Sequence, residues 1–369
     1  MIFDSPVDAG DSNTFLRMRR FRAETDLYLK IESLNIAGSI KLKAARSMVA
    51  DLARRGVIRP GHSHLVESSS GNLGIALSAV CRAQGYQFTC VTDLNCSPGV
   101  LSLIRSWGAE VVVIKERDQN GGYLGSRINY VKQRLREDRR MVWTNQYANP
   151  LNTKAHYRST AKEIHRQFPE LDYLFVGAGT TGTLTGCAQY FAFHRPSVKV
   201  IAVDSVGSVT FGGPAGTRYI PGLGSSRRPE IASTFNVHDV VMVDETATVR
   251  MCHRLRDEFG LLAGGSTGTV LAGADRYGAK LPADATVVAI SPDLGDRYAN
   301  TVYASDWLAE RGLDGATAAE PAESAPAVRS NRIGSLLDSA HLLDPAHHLI
   351  TPRRADTPVE ALTGMDQAR

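Results

Sequence analysis

Short apolar runs alternate with longer amphipathic stretches along most of this chain. Leu27 to Glu32 alternates apolar and polar positions, as a strand with one buried face does. His64 to Glu67, Gln87 to Thr92, Glu110 to Ile114, Met141 to Trp143, Tyr173 to Val176, Lys199 to Val203 and Ala285 to Ile290 read as further strands. Helical patterns lie between them. One is capped by Ser39 and runs to about Arg55, where Gly56 closes it. Others are Ile75 to Gln84, Pro98 to Trp107, Asn152 to Gln167, Cys187 to His194 and Ala247 to Phe259, and one more starts at Ala263 to Gly268. Strands alternating with helices of this length imply parallel sheets in an open α/β architecture, with ligands at the carboxyl ends of the strands.

The stretch around which the pattern is organised is Val176 to Gly186, between a buried strand and a helix. Glycine lets the backbone turn sharply and approach a ligand closely. The first helical N–H groups then point, unpaired, at whatever lies above them, and with the helix dipole they favour an anion. Gly177, Gly179 and Gly182 satisfy G-x-G-x-x-G, and Asp204 follows Gly182 by 22 residues, as in a dinucleotide site. A single phosphate ester, such as that of pyridoxal phosphate, needs the same cup together with a reactive lysine. This stretch alone leaves both open, beside an ordinary ligand-free turn.

Lys41 falls in the first turn of the first helix, where the dipole disfavours a cation. A desolvated lysine loses its proton readily, and the uncharged amine is the form that builds an imine with an aldehyde. Ser68-Ser69-Ser70-Gly71-Asn72-Leu73-Gly74 is a second polar loop before a helix, suited to a carboxylate. Residues 207–229 are irregular and rich in glycine and proline, and a loop this long inside a compact domain is usually functional.

At 369 residues the chain is long enough for two domains, and its net charge of +4 comes from scattered basic residues, so no nucleic-acid partner is expected. The five cysteines, Cys81, Cys90, Cys96, Cys187 and Cys252, show no metal-site spacing and read as free thiols of a reducing compartment. No secretory leader or membrane span is read, and a cytoplasmic protein is the expectation. Beyond about Gly312 the composition shifts to Ala, Pro, Ser and Glu, the signature of a disordered tail, with one short helix at Ile333 to Leu343.

Taken together and in order, these segments resemble the cysteine synthase and cystathionine β-synthase family, fold type II of the pyridoxal-phosphate enzymes. Asn35 to Lys41 resembles N-P-x-G-S-x-K, with Ile36 in place of proline. Ser69 to Gly74 resembles the substrate loop T-S-G-N-T-G, and Gly179-Thr180-Thr181-Gly182-Thr183 resembles the phosphate cup G-T-G-G-T. Ser266 matches the serine facing the pyridine nitrogen, and Pro292 to Tyr298 resembles P-D-S-G-D-R-Y. Five ordered motifs outweigh one dinucleotide fingerprint.

The resemblance implies two open, mostly parallel α/β domains, tryptophan synthase β-like, with pyridoxal 5'-phosphate between them. Residues 1–145 would supply the lysine and substrate loop, residues 146–312 the phosphate cup and pyridine-nitrogen serine, and 313–369 the tail. It further implies Lys41 as the imine lysine and general base, and Asn72 at the ring hydroxyl. Ser69, Ser70, Gly71, Asn72 and Gln146 would hold the substrate carboxylate, and a homodimer is implied. A serine at the ring nitrogen, in place of an aspartate, is expected to leave that nitrogen unprotonated and to favour β-replacement. The likeness is greatest to the branch joining O-phospho-L-serine to L-glutamate on the way to 2,3-diaminopropionate, a precursor of siderophores and peptide antibiotics. Arg218, Arg227 and Arg228 are candidates for its anionic groups. An O-acetylserine or O-phosphoserine sulfhydrylase is the first alternative, and an NAD-dependent oxidoreductase the second.

Overall fold

A computed structural model describes residues 3, 5–8, 13–19, 21, 26–119, 121–232 and 237–317. Among them ten strands form two sheets. The smaller has four parallel strands in the order β5-β4-β3-β6: β3 (His64–Ser68), β4 (Gln87–Asp93), β5 (Glu110–Ile114) and β6 (Met141–Trp143). The larger has six, in the order β1-β2-β10-β7-β8-β9: β1 (Phe15–Arg17), β2 (Asp26–Ile31), β7 (Tyr173–Gly177), β8 (Lys199–Ser205), β9 (Asp239–Val243) and β10 (Thr286–Ser291). Its pairs are parallel except β1 with β2. This is the mostly parallel α/β class expected. The division at 145 is not clean in the chain, because β2 pairs with β10 and so carries the amino-terminal strands into the larger sheet.

The helices are α1 (Lys41–Arg54), α2 (Asn72–Ala83), α3 (Pro98–Ser106), α4 (Leu124–Glu137), α5 (Pro150–Arg158), α6 (Thr160–Gln167), α7 (Gly182–His194), α8 (Glu245–Phe259), α9 (Gly265–Tyr277) and α10 (Ser305–Ala309). Strand β4 is buried from Phe88 to Asp93, and β7 from Tyr173 to Val176, as strands covered on both faces must be. Apolar side chains of α1 and α2 (Leu42, Met48, Leu77) pack with Leu65 of β3 in one core, and Phe175 and Val203 pack with Val270 and Leu271 of α9 in another.

Three local expectations are corrected. The stretch 152–167 is two helices broken at Ser159, whose hydroxyl turns back to the Ala155 carbonyl at 2.7 Å. Helix α7 begins at Gly182, five residues before Cys187. Ser39 is not a helix cap: its backbone is bridged to Asp293, and Ile40 precedes the helix. Asn35 organises that turn instead, donating to the carbonyls of Glu32 at 2.9 Å and Ser39 at 3.0 Å while accepting from Ala37 N–H at 3.0 Å.

Residues 314–317 form a 3-10 turn following buried Leu313, so the first part of the expected tail is folded. The remainder, with the helix expected at Ile333 to Leu343, lies outside the described residues. All five cysteines are free and buried. Among the described residues no helix is long and apolar enough to cross a membrane.

Candidate active site

Lys41 opens α1 with no side-chain cap above it. Burial holds its amine down at about 8, although the Asp293 carboxylate pulls the other way. Lys43, two residues on, has the opposite electrostatics. Burial alone would lower its pKa, but Glu32 and Glu163 more than offset this and raise it. The helix thus presents one amine poised to be uncharged and one locked as a cation.

The loop before α2 lies at the carboxyl end of β3. Ser69 Oγ accepts from the N–H groups of Gly71 at 3.3 Å and Gly74 at 3.0 Å, which fixes the loop from within. Ser70, Gly71 and Asn72 remain half-buried, and a Cβ on Gly71 would meet open space. Gly71 supplies no side-chain cap, so the N–H groups of Asn72 and Leu73 at the start of α2, unlike that of Gly74, are open to an anion, an arrangement suited to a carboxylate.

Gln146 is placed from both ends. Its backbone N–H donates to Glu67 Oε2 at 3.0 Å, and its side-chain amide donates to the Ser68 carbonyl at 2.8 Å. Glu67 also accepts from Thr144 Oγ1 at 2.5 Å, Trp143 Nε1 at 3.0 Å and Ser68 N–H at 2.8 Å. Burial raises its pKa against these four donors.

Residues 179–183 form a cup between β7 and α7. Thr181 adopts a left-handed backbone, φ 66°, just before the helix. Its Oγ1 is buried with no partner among the described residues. The first α-helical bond of α7 runs from Thr185 N–H to the Thr181 carbonyl at 2.8 Å, so the N–H groups of residues 182–184 precede it. Two glycines are required by close approach. A Cβ on Gly179 would lie 2.6 Å from the Gly222 carbonyl, and one on Gly182 would collide with the Asn152 side chain. Thr180 Oγ1 accepts from Asn152 Nδ2 at 3.0 Å, and Thr183 is half-buried at the rim. An orphaned buried hydroxyl beside free helix-start amides fits an ester phosphate, and with Lys41 it fits a phosphorylated aldehyde.

Ser266, in the first turn of α9, donates to Asp293 Oδ1 at 3.1 Å. Asn72 Nδ2 donates to Oδ2 of the same carboxylate at 2.7 Å, and Tyr298 O–H at 2.6 Å. Arg297 donates to Asn72 Oδ1, which fixes the amide orientation, and to the Ala37 carbonyl at 2.6 Å. Residues Asn152, Asp293, Arg297 and Tyr298 carry these positions, and sequence reasoning gave none of them a role. The last three lie inside the P-D-L-G-D-R-Y motif, which was the available signal.

Arg218 turns onto its own loop, donating to the carbonyls of Gly207 and, at 3.5 Å, Ser225, with Asp204 and Glu245 nearby. Arg227 and Arg228 are exposed, and Arg227 pairs with Glu230 at 2.7 Å. Together with Lys132, Trp143, Asn145, Tyr147 and Glu230 they line a cavity of about 140 Å³.

The chain is 40% identical over 315 residues, 84% of its length and 92% of the relative's, to the N-(2-amino-2-carboxyethyl)-L-glutamate synthase of Cupriavidus metallidurans. It is 38% identical over 335 residues, 89% and 99% of the two lengths, to the synthase of the same name from Ralstonia nicotianae. Among solved structures it resembles O-ureido-L-serine synthase, with a TM-score of 0.77 and 33% identity, covering 83% of this chain and 96% of that one. It also resembles a hydrogen sulfide-producing enzyme from Fusobacterium nucleatum, with a TM-score of 0.76 and 25% identity, covering 80% and 100%. Residues 8–293 match the pyridoxal-phosphate dependent enzyme family, and this chain belongs to it.

Proposed function

We propose that the chain catalyses β-replacement on O-phospho-L-serine with L-glutamate as nucleophile, yielding N-(2-amino-2-carboxyethyl)-L-glutamate and phosphate. The observation that carries this reading is the 40% identity, over most of both chains, to a synthase of that name. The product would feed 2,3-diaminopropionate formation for siderophores or peptide antibiotics.

Bound pyridoxal phosphate supplies an electron sink conjugated to the substrate α-carbon. Residues 179–183 would hold its phosphate, Asn72 its ring hydroxyl and Ser266 its ring nitrogen. Lys41 would anchor its aldehyde carbon. Released by the incoming amino acid, the Lys41 amine would take the α-proton as general base, for which a pKa of about 8 suits neutral pH. The α2 N–H groups and Gln146 would hold the carboxylate. The β-carbon loses phosphate with its bonding pair, the glutamate amine forms the new C–N bond and sheds a proton, and Lys41 returns the α-proton. Lys132, Arg227 and Arg228 at the neighbouring cavity suit the carboxylates of an anionic nucleophile.

The purified protein, supplied with O-phosphoserine and either glutamate or sulfide, should give the amino-linked product and phosphate by mass spectrometry. Cysteine as the sole product would replace this reading with that of a sulfhydrylase. The same reading implies a homodimer, which sedimentation of the purified chain would check.

A further inference from the structure

Asp204 lies at the carboxyl end of β8, fully buried, and the chemistry above makes no use of it. Its Oδ1 accepts from Ser205 N–H at 2.8 Å, and its Oδ2 makes no bond of good geometry among the described residues. Burial pushes its pKa up to about 6, while the Ser208 hydroxyl, the Ser205 and Gly224 N–H groups and the Arg218 charge pull the other way. The carboxylate is therefore ionised at neutral pH, at a cost in stability. Glu245, at the start of α8, faces Arg218 in turn.

Ser208, Arg218 and Gly224 all belong to the irregular loop after β8, and that loop is closed on itself. Arg218 donates to the carbonyls of Gly207 and Ser225. Ser225 N–H donates to Ser208 Oγ at 3.0 Å, and Val209 N–H to the Ser225 carbonyl at 3.0 Å. Glu245 Oε1 accepts from the N–H groups of Tyr219 at 2.7 Å and Ile220 at 2.6 Å. The run that follows lies against the cup. Gly224 N–H donates to the Ala178 carbonyl at 2.9 Å. The Gly222 carbonyl leaves no room for a Cβ on Gly179, and Leu223 Cδ2 would lie 2.7 Å from one on Gly177.

We propose that Asp204 is a positioning residue for the cofactor phosphate, acting by holding the Gly222–Gly224 wall against the cup. This rests on the reading above that residues 179–183 take that phosphate. The ionised carboxylate attracts Arg218 and favours the Ser208 and Gly224 donors at the foot of the loop. Neutralised, it keeps its shape and loses that attraction, so neutral bonds alone hold the wall. A buried charge that lowers stability and improves binding is the trade-off expected of a functional group. Because the folded pKa lies above the unfolded value of 3.8, this residue's contribution to apoprotein stability is present below that value and lost as pH rises through about 6.

The test compares the full chain with its Asp204→Asn variant, both as apoprotein, in urea unfolding and in binding of pyridoxine 5'-phosphate, which carries the phosphate and forms no imine. At pH 8 the variant should unfold with an equilibrium constant about tenfold to hundredfold smaller than wild type. It should also bind the probe about tenfold more weakly. Both differences should shrink as pH falls from 8 to 5, where the wild-type carboxylate takes up its proton. A carboxylate with a merely structural role would lose stability and binding together on substitution. Equal binding at pH 8 overturns the proposal, as does a binding ratio that ignores pH. A variant less stable than wild type, or unable to fold, overturns it too. Each of these results leaves the functional reading intact. If plain pyridoxine binds wild type as tightly as its phosphate does, residues 179–183 do not hold the phosphate, and that reading of the cup falls together with the inference.

Discussion

Lys43 places its ammonium 2.8 Å from Glu163 Oε2, in a pair almost closed to solvent. Glu32 joins it at 3.0 Å, and Lys30 reaches Glu163 at 2.7 Å, so two cations and two carboxylates share one buried cluster. Breaking such a cluster by removing one partner leaves an uncompensated buried charge, at a cost of about 3–5 kcal/mol. Lys43→Ala should therefore lower unfolding free energy by roughly that amount in urea titration. At temperatures where it stays folded, it should still bind cofactor covalently. Loss of the covalent bond in a folded Lys43→Ala protein would contradict this division of labour.

The amine at position 41 is held at about 8, against an ordinary lysine at 10.5. Its uncharged fraction near pH 8 is then roughly two orders of magnitude above that of a free lysine. Reconstitution of apoprotein with pyridoxal phosphate should accelerate through a midpoint near pH 8. Because the folded pKa lies below the unfolded one, the folded state sheds this proton first. Apoprotein stability should gain from this residue as pH rises from about 8 to 10.5. Stopped-flow absorbance gives the first quantity and chemical denaturation the second; a reconstitution midpoint above pH 10 would count against desolvation of Lys41.

Thr181 is a β-branched residue at φ 66°, a backbone region that costs about 1–2 kcal/mol for a side chain. Thr181→Gly should stabilise the apoprotein by about 1 kcal/mol and weaken retention of the phosphorylated cofactor, because the orphaned hydroxyl disappears with the strain. Melting of the apoprotein and cofactor titration would read the two effects. A variant both more stable and tighter for cofactor would show that the hydroxyl has no part in the cup.

Glu67 offers its two oxygens to four donors, among them the backbone of Gln146. Glu67→Gln turns an N–H₂ toward some of them and should cost about 2–3 kcal/mol. Released from that anchor, Gln146 should bind the substrate carboxylate less well, raising KM more than it lowers kcat. An unchanged KM would place the carboxylate elsewhere.

What was legible in the chain followed from local chemistry. Lys41, the Ser69–Gly74 loop and the 179–183 cup announce themselves because each turn, helix start and free amide lies within a few neighbouring residues. The role of Asp293 did not, because its partner Asn72 lies 221 residues away in sequence and only the fold brings them together. Ser39 misled for the opposite reason: a good local cap was overridden by a backbone bridge to Asp293. Strand β9 and helix α4 carry weak local signals, the first beside a long irregular loop and the second with a strongly polar surface and few buried positions. Arg218 is a candidate by charge alone, and its guanidinium is turned toward the carbonyls of its own loop.

The most direct test is reduction of the native, cofactor-loaded protein with borohydride, followed by peptide mass mapping. The account predicts one phosphopyridoxyl adduct, on Lys41, and none on Lys43. An adduct on any other lysine, or no adduct in a protein that carries the cofactor, would contradict it.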